Sequence, residues 1–123
     1  MQTPAQDVVE RYYAAFDAHT HAWQDLVTDD VVFDGPLQHA RGKAEFVGLT
    51  SQFLDAHRET RVLGRIANAY EVASQFEFIV QAPNGEVLSC PVAEWATVRD
   101  GRIEAFRVYY DPREFVRAFG IAD

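Results

Sequence analysis

The sequence predicts an α+β fold, with N-terminal helices packed on a mostly antiparallel sheet. Three observations predict it. Apolar residues recur at helical spacing over 3–19 and again over 43–57. From about residue 61 the pattern changes to the two-residue alternation of strands. Two turn signals, Asn84-Gly85 and Arg99-Asp100-Gly101, cut that second part into a meander. Helices followed by a run of strands is the element order of an α+β domain. With 123 residues the chain is expected to form one domain, 1–123, with room for one core and one pocket.

The first helix, Thr3 to about His19, carries Val8, Val9, Tyr12, Tyr13, Ala15 and Phe16 on a wide apolar stripe. Thr3 suits the N-cap and Pro4 the first helical position, where its missing N–H is no loss. Thr20 is expected to cap a short helix bearing Trp23, Leu26 and Val27. Val31 to Asp34 reads as a strand ended by Gly35-Pro36, and a loop then runs to Gly42. Phe46, Val47, Leu49, Phe53, Leu54 and His57 mark a third helix, from about Lys43 to His57. Residues 61–69 form the next strand. Glu71 to Gln81, Val87 to Val98 and Arg102 to Tyr110 follow as the meander. Asp111 and Pro112 start a last helical turn, which Gly120 can end.

Composition narrows the partners. Eleven basic residues face nineteen acidic ones, a net charge of −8. Nucleic acid and anionic membrane surfaces both need a cationic face and are not expected as partners. Residues 1–40 hold Arg11 as their only base, and most of their acids read as a solvated face. No apolar stretch of about 18 residues exists, and the N-terminus has no secretory pattern, so a cytoplasmic location is expected. The single cysteine, Cys90, leaves no internal disulfide and no multi-cysteine metal site; it reads as a small apolar residue. His19-Thr20-His21 has a metal-like spacing but lacks a third ligand, so no metal or other cofactor is expected.

The meander decides which side chains share a face. A two-residue turn at Asn84-Gly85 puts Gln75 opposite Glu94. A three-residue loop at Arg99-Asp100-Gly101 puts Glu94 opposite Phe106, whereas a two-residue turn there puts Ala93 beside Val108. With the three-residue loop, one face collects Gln75, Glu77, Ile79, Cys90, Val92, Glu94, Ala96, Phe106, Val108 and Tyr110. The other collects Phe76, Phe78, Val80, Ala93, Trp95, Thr97, Ala105 and Tyr109. The first face is the chemically interesting one. A carboxyl among apolar neighbours has its charged form disfavoured and can act as an acid or base near neutral pH. The second face is too apolar for open water and suggests a partner subunit.

Several strings resemble a known family. They are V-V-E-R-Y-Y-A-A-F at 8–16, L-V-T-D-D-V-V-F-D-G-P at 26–36, R-G at 41–42 and R-D-G-R-I-E-A-F-R-V-Y-Y-D-P at 99–112. Together they resemble the SnoaL-like branch of the nuclear-transport-factor-two-like superfamily, whose members include ketosteroid isomerases, polyketide cyclases and limonene epoxide hydrolases. The resemblance implies a cone-like fold, with the N-terminal helices packed in a curved, mostly antiparallel sheet and an apolar pocket at the open end. It also implies a homodimer through the outer sheet face.

Carried over residue by residue, Tyr12 matches the isomerases' helix-one oxyanion donor. Their aspartate base falls on Gly35 without a gap, with Asp34 one residue early; the epoxide hydrolases' asparagine matches Asp34. The isomerases' second oxyanion donor falls on Glu94 with a gap and on Ala93 without one, and the cyclases place a histidine near this position. The last-strand aspartate of the cyclases and epoxide hydrolases falls on Val108, a departure that counts against both activities. The residues and the resemblance together nominate Asp34 as base, with Tyr12 and protonated Glu94 as donors to a developing enolate. Val32, His39, Phe53, His57, Gln75, Glu77, Val92, Phe106, Val108 and Tyr110 are expected to line the pocket. The expected function is binding of a small apolar molecule, with cofactor-free, isomerase-like proton transfer on a carbonyl substrate; the alternative is a non-catalytic binding or assembly module.

Overall fold

Helix α1 (Pro4–Asp17) lies across one face of a six-stranded sheet, and its sequence explains why. The Thr3 hydroxyl accepts a hydrogen bond from the Gln6 amide at 3.1 Å, capping the first turn. The apolar stripe of Ala5, Val8, Val9, Tyr12, Tyr13 and Phe16 is buried. The computed structural model describes residues 2–121. After α1, a 3-10 turn (Ala22–Leu26) buries Trp23 against the same core. Strand β1 (Val27–Asp34), the short strand β2 (His39–Arg41), helix α2 (Lys43–Ala56) and strands β3 (His57–Ala67), β4 (Glu71–Gln81), β5 (Val87–Arg99) and β6 (Arg102–Tyr109) follow. Helix α3 (Arg113–Phe119) ends at Gly120, which is left-handed at φ 66°. Among the described residues no helix is long and apolar enough to cross a membrane.

The strand order is β2-β1-β6-β5-β4-β3. All pairs are antiparallel except β1 with β6, which is parallel. Three boundaries differ from the sequence reading. Val27 opens β1 instead of closing a helix, because it pairs with Ile103 of β6. His39–Arg41, read as loop, pairs with β1. Strand β3 begins at His57, where it pairs with Val80, so the third helix stops one residue earlier.

The registers of the two hairpins carry the main correction. The first loop has three residues, Pro83-Asn84-Gly85, with Gly85 at φ 88°. Ala82 donates to the Glu86 carbonyl at 2.8 Å, and the Gly85 amide donates to Ala82 at 2.9 Å. A two-residue turn would require Pro83 to donate to the ladder, and proline has no N–H. Ala82 takes that place, so Ser74, not Gln75, stands opposite Glu94. A one-residue slip turns a strand over. Ser74, Phe76, Phe78 and Val80 therefore face the helices, and Gln75 and Glu77 face outward.

The second turn has two residues, Asp100 and Gly101, both at positive φ (51° and 78°) as a type I′ turn needs. A bulge between Thr97 and Val98 then shifts the pairing by one. The two differences from a three-residue loop cancel in parity. Glu94 stays on the inner face, opposite Val108 instead of Phe106.

Candidate functional site

A cavity of about 90 Å³ lies between α1, α2 and the inner sheet face. Helix α1 contributes Tyr12, Tyr13 and Phe16, and α2 contributes Phe46, Leu49, Thr50 and Phe53. The sheet supplies Phe33, Phe78, Val80, Cys90, Val92, Glu94, Phe106 and Val108, while Gln38, Tyr110 and Phe115 stand at the chain segments beyond it. Ten of these residues are aromatic. They touch one another: Phe46 stacks on Phe106 at 5.1 Å, and Phe53 meets Phe78 at 5.0 Å.

The one carboxyl in this wall belongs to Glu94, which is 4% exposed. Its Oε2 accepts a hydrogen bond from the Tyr13 hydroxyl. Burial pushes the Glu94 carboxyl up to about 7, against the opposing pull of the Tyr13 bond and the nearby Arg65 charge. Tyr12 and Tyr13 are pushed well above the ordinary phenol value, mainly by burial and then by Glu94, so both stay protonated donors. Burial likewise raises the Cys90 thiol, which keeps it neutral and unreactive, as a small apolar residue should be.

Seven of the nominated residues line this cavity: Tyr12, Glu94, Phe53, Val92, Phe106, Val108 and Tyr110. The others stand elsewhere. Phe33 takes the inward position of β1, so its neighbours Val32 and Asp34 fall on the opposite side of the strand. Asp34 Oδ1 is bonded to His39 Nδ1 at 2.9 Å and Arg41 Nη1 at 3.0 Å. Those two partners hold its carboxyl below the usual carboxylate range. Asp34 and His39 thus form a surface cluster with Arg41 and do not line the cavity. Gln75 and Glu77 lie on the outer face for the register reason given above; Glu77 accepts a bond from Ser89 at 2.7 Å.

His57 is fully buried one layer behind the cavity, against Phe16, Phe53 and Phe78. Its Nδ1 lies 2.9 Å from His19 Nε2 and its Nε2 lies 2.8 Å from the Thr60 hydroxyl. Burial lowers it to about 4, so the ring is neutral. His19 and His21 point to different partners, the latter to Gln24. Among the described residues no three His, Cys, Asp or Glu side chains could hold a metal ion together.

The residues missed by the sequence reading are Tyr13 and the inward side of β4. Tyr13 sits on the same apolar stripe as Tyr12, and nothing local distinguishes the two. Pro83 before Asn84-Gly85 was the available signal for β4.

Gly35 and Val108, the two positions where the resemblance implies acids, are packed against each other. A Cβ at Gly35 would stand 2.9 Å from Val108 Cγ2 and 3.3 Å from the Phe33 ring. Val108 therefore fills the space a side chain at 35 would need.

The family model for the SnoaL-like domain matches residues 9–106. The chain belongs to the SnoaL-like domain family. Solved structures agree with the fold of this SnoaL-like chain. A protein from Kribbella flavida DSM 17836 superposes with a TM-score of 0.85 at 24% identity, covering 95% of this chain and 94% of that one. A protein from Jannaschia sp. CCS1 described as a SnoaL-like polyketide cyclase gives 0.81 at 15% identity, over 98% and 94%. A ketosteroid isomerase-like fold from Catenulispora acidiphila, solved with trimethylamine, gives 0.78 at 16% identity, over 98% and 96%. Others carry the NTF2-like fold. No curated protein matches the chain by sequence.

Proposed function

We propose that this SnoaL-like domain binds a small, largely apolar carbonyl compound in its aromatic cavity and moves a proton on it through Glu94. The observation that carries this is one buried carboxyl, poised near neutrality, in a wall that is otherwise largely apolar and aromatic. A group with that poise holds a substantial fraction of both forms at pH 7 and can take a proton and return it. The ionised Glu94 would take a proton from the carbon next to the carbonyl, and the Tyr12 hydroxyl would donate to the oxygen as charge develops there. The same carboxyl would then return the proton to a neighbouring carbon, so the step balances without a second acid. Asp34 has no part in it, being outside the cavity.

The test needs no knowledge of the natural substrate. A panel of monocyclic and bicyclic enones is incubated with the protein in D2O, and exchange at the carbon beside the carbonyl is followed by proton NMR. Wild type should accelerate exchange of at least one member, and Glu94→Gln should lower that rate by about 10²- to 10⁴-fold. Exchange at the wild-type rate in Glu94→Gln would sink the mechanism.

The outer sheet face supports a second proposal, a homodimer. Ile66, Trp95 and Tyr109 stand on it at 81%, 44% and 60% exposure, a contiguous apolar stripe on β3, β5 and β6. A second copy of the chain offers the same stripe. Light scattering at micromolar concentration should give twice the 13.9 kDa chain mass. Trp95→Glu should give monomer, and a monomeric wild type removes the proposal.

A further inference from the structure

Glu94 also faces a group of side chains that the cavity does not use. Arg65 on β3, Ser74 on β4 and Glu94 on β5 form one row across the sheet, because Arg65 pairs with Ser74 and Ser74 with Glu94. The Arg65 guanidinium lies 5.8 Å from the centre of the Tyr13 ring, and the Tyr13 hydroxyl is bonded to Glu94. The three side chains therefore converge beside Tyr13. Among the described residues, Arg65 Nε and Nη2, Ser74 Oγ and Glu94 Oε1 are all buried without a hydrogen-bond partner. The guanidinium and the carboxyl thus do not meet directly through these atoms.

Burying such groups unpaired costs about 1–3 kcal/mol each, and more for charged ones. Folded proteins rarely leave them so. An internal water needs two to four polar partners, and this row offers that many at one place.

We propose that Arg65 is the counter-ion of Glu94, joined to it through one internal water that Ser74 helps to hold, and that this bridge lets Glu94 release and regain its proton inside an apolar wall. Arg65 does not line the cavity; it is a positioning residue that acts through the carboxyl. When Glu94 is ionised, the water accepts from Arg65 and donates to Oε1. When Oε1 carries the proton, its O–H donates to the water, which turns a hydrogen toward the Ser74 oxygen. The heavy atoms stay in place, so the change of state costs little rearrangement.

The groups facing Glu94 from the packed elements are Tyr12 and Tyr13 on α1, Arg65 and Ser74 on β3 and β4, and Val108 on β6. Both tyrosines are neutral, so among these Arg65 alone favours the ionised carboxyl by its charge. The inference rests on where Glu94 stands and not on any reaction, so it can fail or hold separately from proton transfer to a substrate.

The experiment is a carbon NMR titration of the Glu94 carboxyl in wild type, Arg65→Met, Arg65→Lys and Ser74→Ala. Arg65→Met should raise the midpoint by about one pH unit or more. Arg65→Lys should return most of that shift, and Ser74→Ala should raise the midpoint by less than Arg65→Met. The amide spectrum checks the fold of each variant. Should the methionine variant not fold, Arg65→Gln carries the same expectation.

An unchanged midpoint in the neutral variant, or equal midpoints for lysine and methionine, overturns the counter-ion role. A high-resolution crystal structure of the wild type supplies an independent readout. One ordered water within hydrogen-bond reach of Arg65, Ser74 Oγ and Glu94 Oε1 supports the bridge; a direct Arg65–Glu94 contact with no shared water overturns it.

Discussion

Glu94 and Asp34 show what decides whether a carboxyl can do proton chemistry. Both are strand acids, Glu94 in the middle of β5 and Asp34 at the end of β1, but burial raises Glu94 whereas His39 and Arg41 lower Asp34 at the surface. The difference is one of desolvation against pairing. Gly35 is decided at the same scale. Its missing side chain lets Val108 approach, so Gly35→Ala should destabilise the domain by about 1–3 kcal/mol through overpacking. Chemical denaturation checks this, with a cycle through Val108→Ala. The double variant should recover part of the loss of Gly35→Ala, a coupling expected only for residues in contact.

At the scale of elements, Pro83 sets which side of β4 is inside. Because proline cannot donate, Ala82 closes the hairpin and Ser74 comes opposite Glu94. Deleting Pro83 leaves Ala82 opposite Glu86 across a two-residue Asn84-Gly85 turn, the favoured I′ pair. The shortened chain should therefore keep its inner face, with Ser74 still beside Glu94 in cross-strand proton contacts. A deletion variant that pairs Gln75 with Glu94 would refute closure of the hairpin at Ala82 as what sets the register.

For the whole molecule, two buried groups oppose each other in pH dependence. Glu94 binds its proton more tightly folded than unfolded, rising from 4.5 to about 7. Its contribution is full below pH 4.5 and is lost as pH rises through 7. His57 binds its proton less tightly folded, falling from 6.5 to about 4. Its contribution is full above pH 6.5 and is lost as pH falls through 4. Each slope is about 1.4 kcal/mol per pH unit at most, and they have opposite signs between pH 4.5 and 6.5. As far as these two groups govern it, wild-type stability should be nearly level across that window. Glu94→Gln should leave the histidine slope, with stability rising with pH, and His57→Gln should leave stability falling. Urea midpoints at half-unit steps of pH read both, and parallel curves for all three proteins would refute the compensation.

The sequence by itself determined the elements and their order apart from β2, because helical spacing, capping residues and Asn-Gly or Asp-Gly turns act within a few residues of one another, whereas β2 exists only by pairing with β1. The resemblance implies an apolar pocket with Tyr12 in it and leaves open whether Glu94 or Ala93 faces it. What only the tertiary structure decided was which strand faces turn inward. A strand's two-residue period offers two faces and does not say which is buried. The choice for β4 hung on one absent N–H at Pro83, and for β6 on a bulge that undid the effect of a tighter turn. The same limit hid Asp34, whose inward place belongs to its neighbour Phe33, and Arg65, which reaches Glu94 only because β3, β4 and β5 lie side by side. Such juxtapositions come from pairing between distant segments, and no local pattern in the chain encodes them.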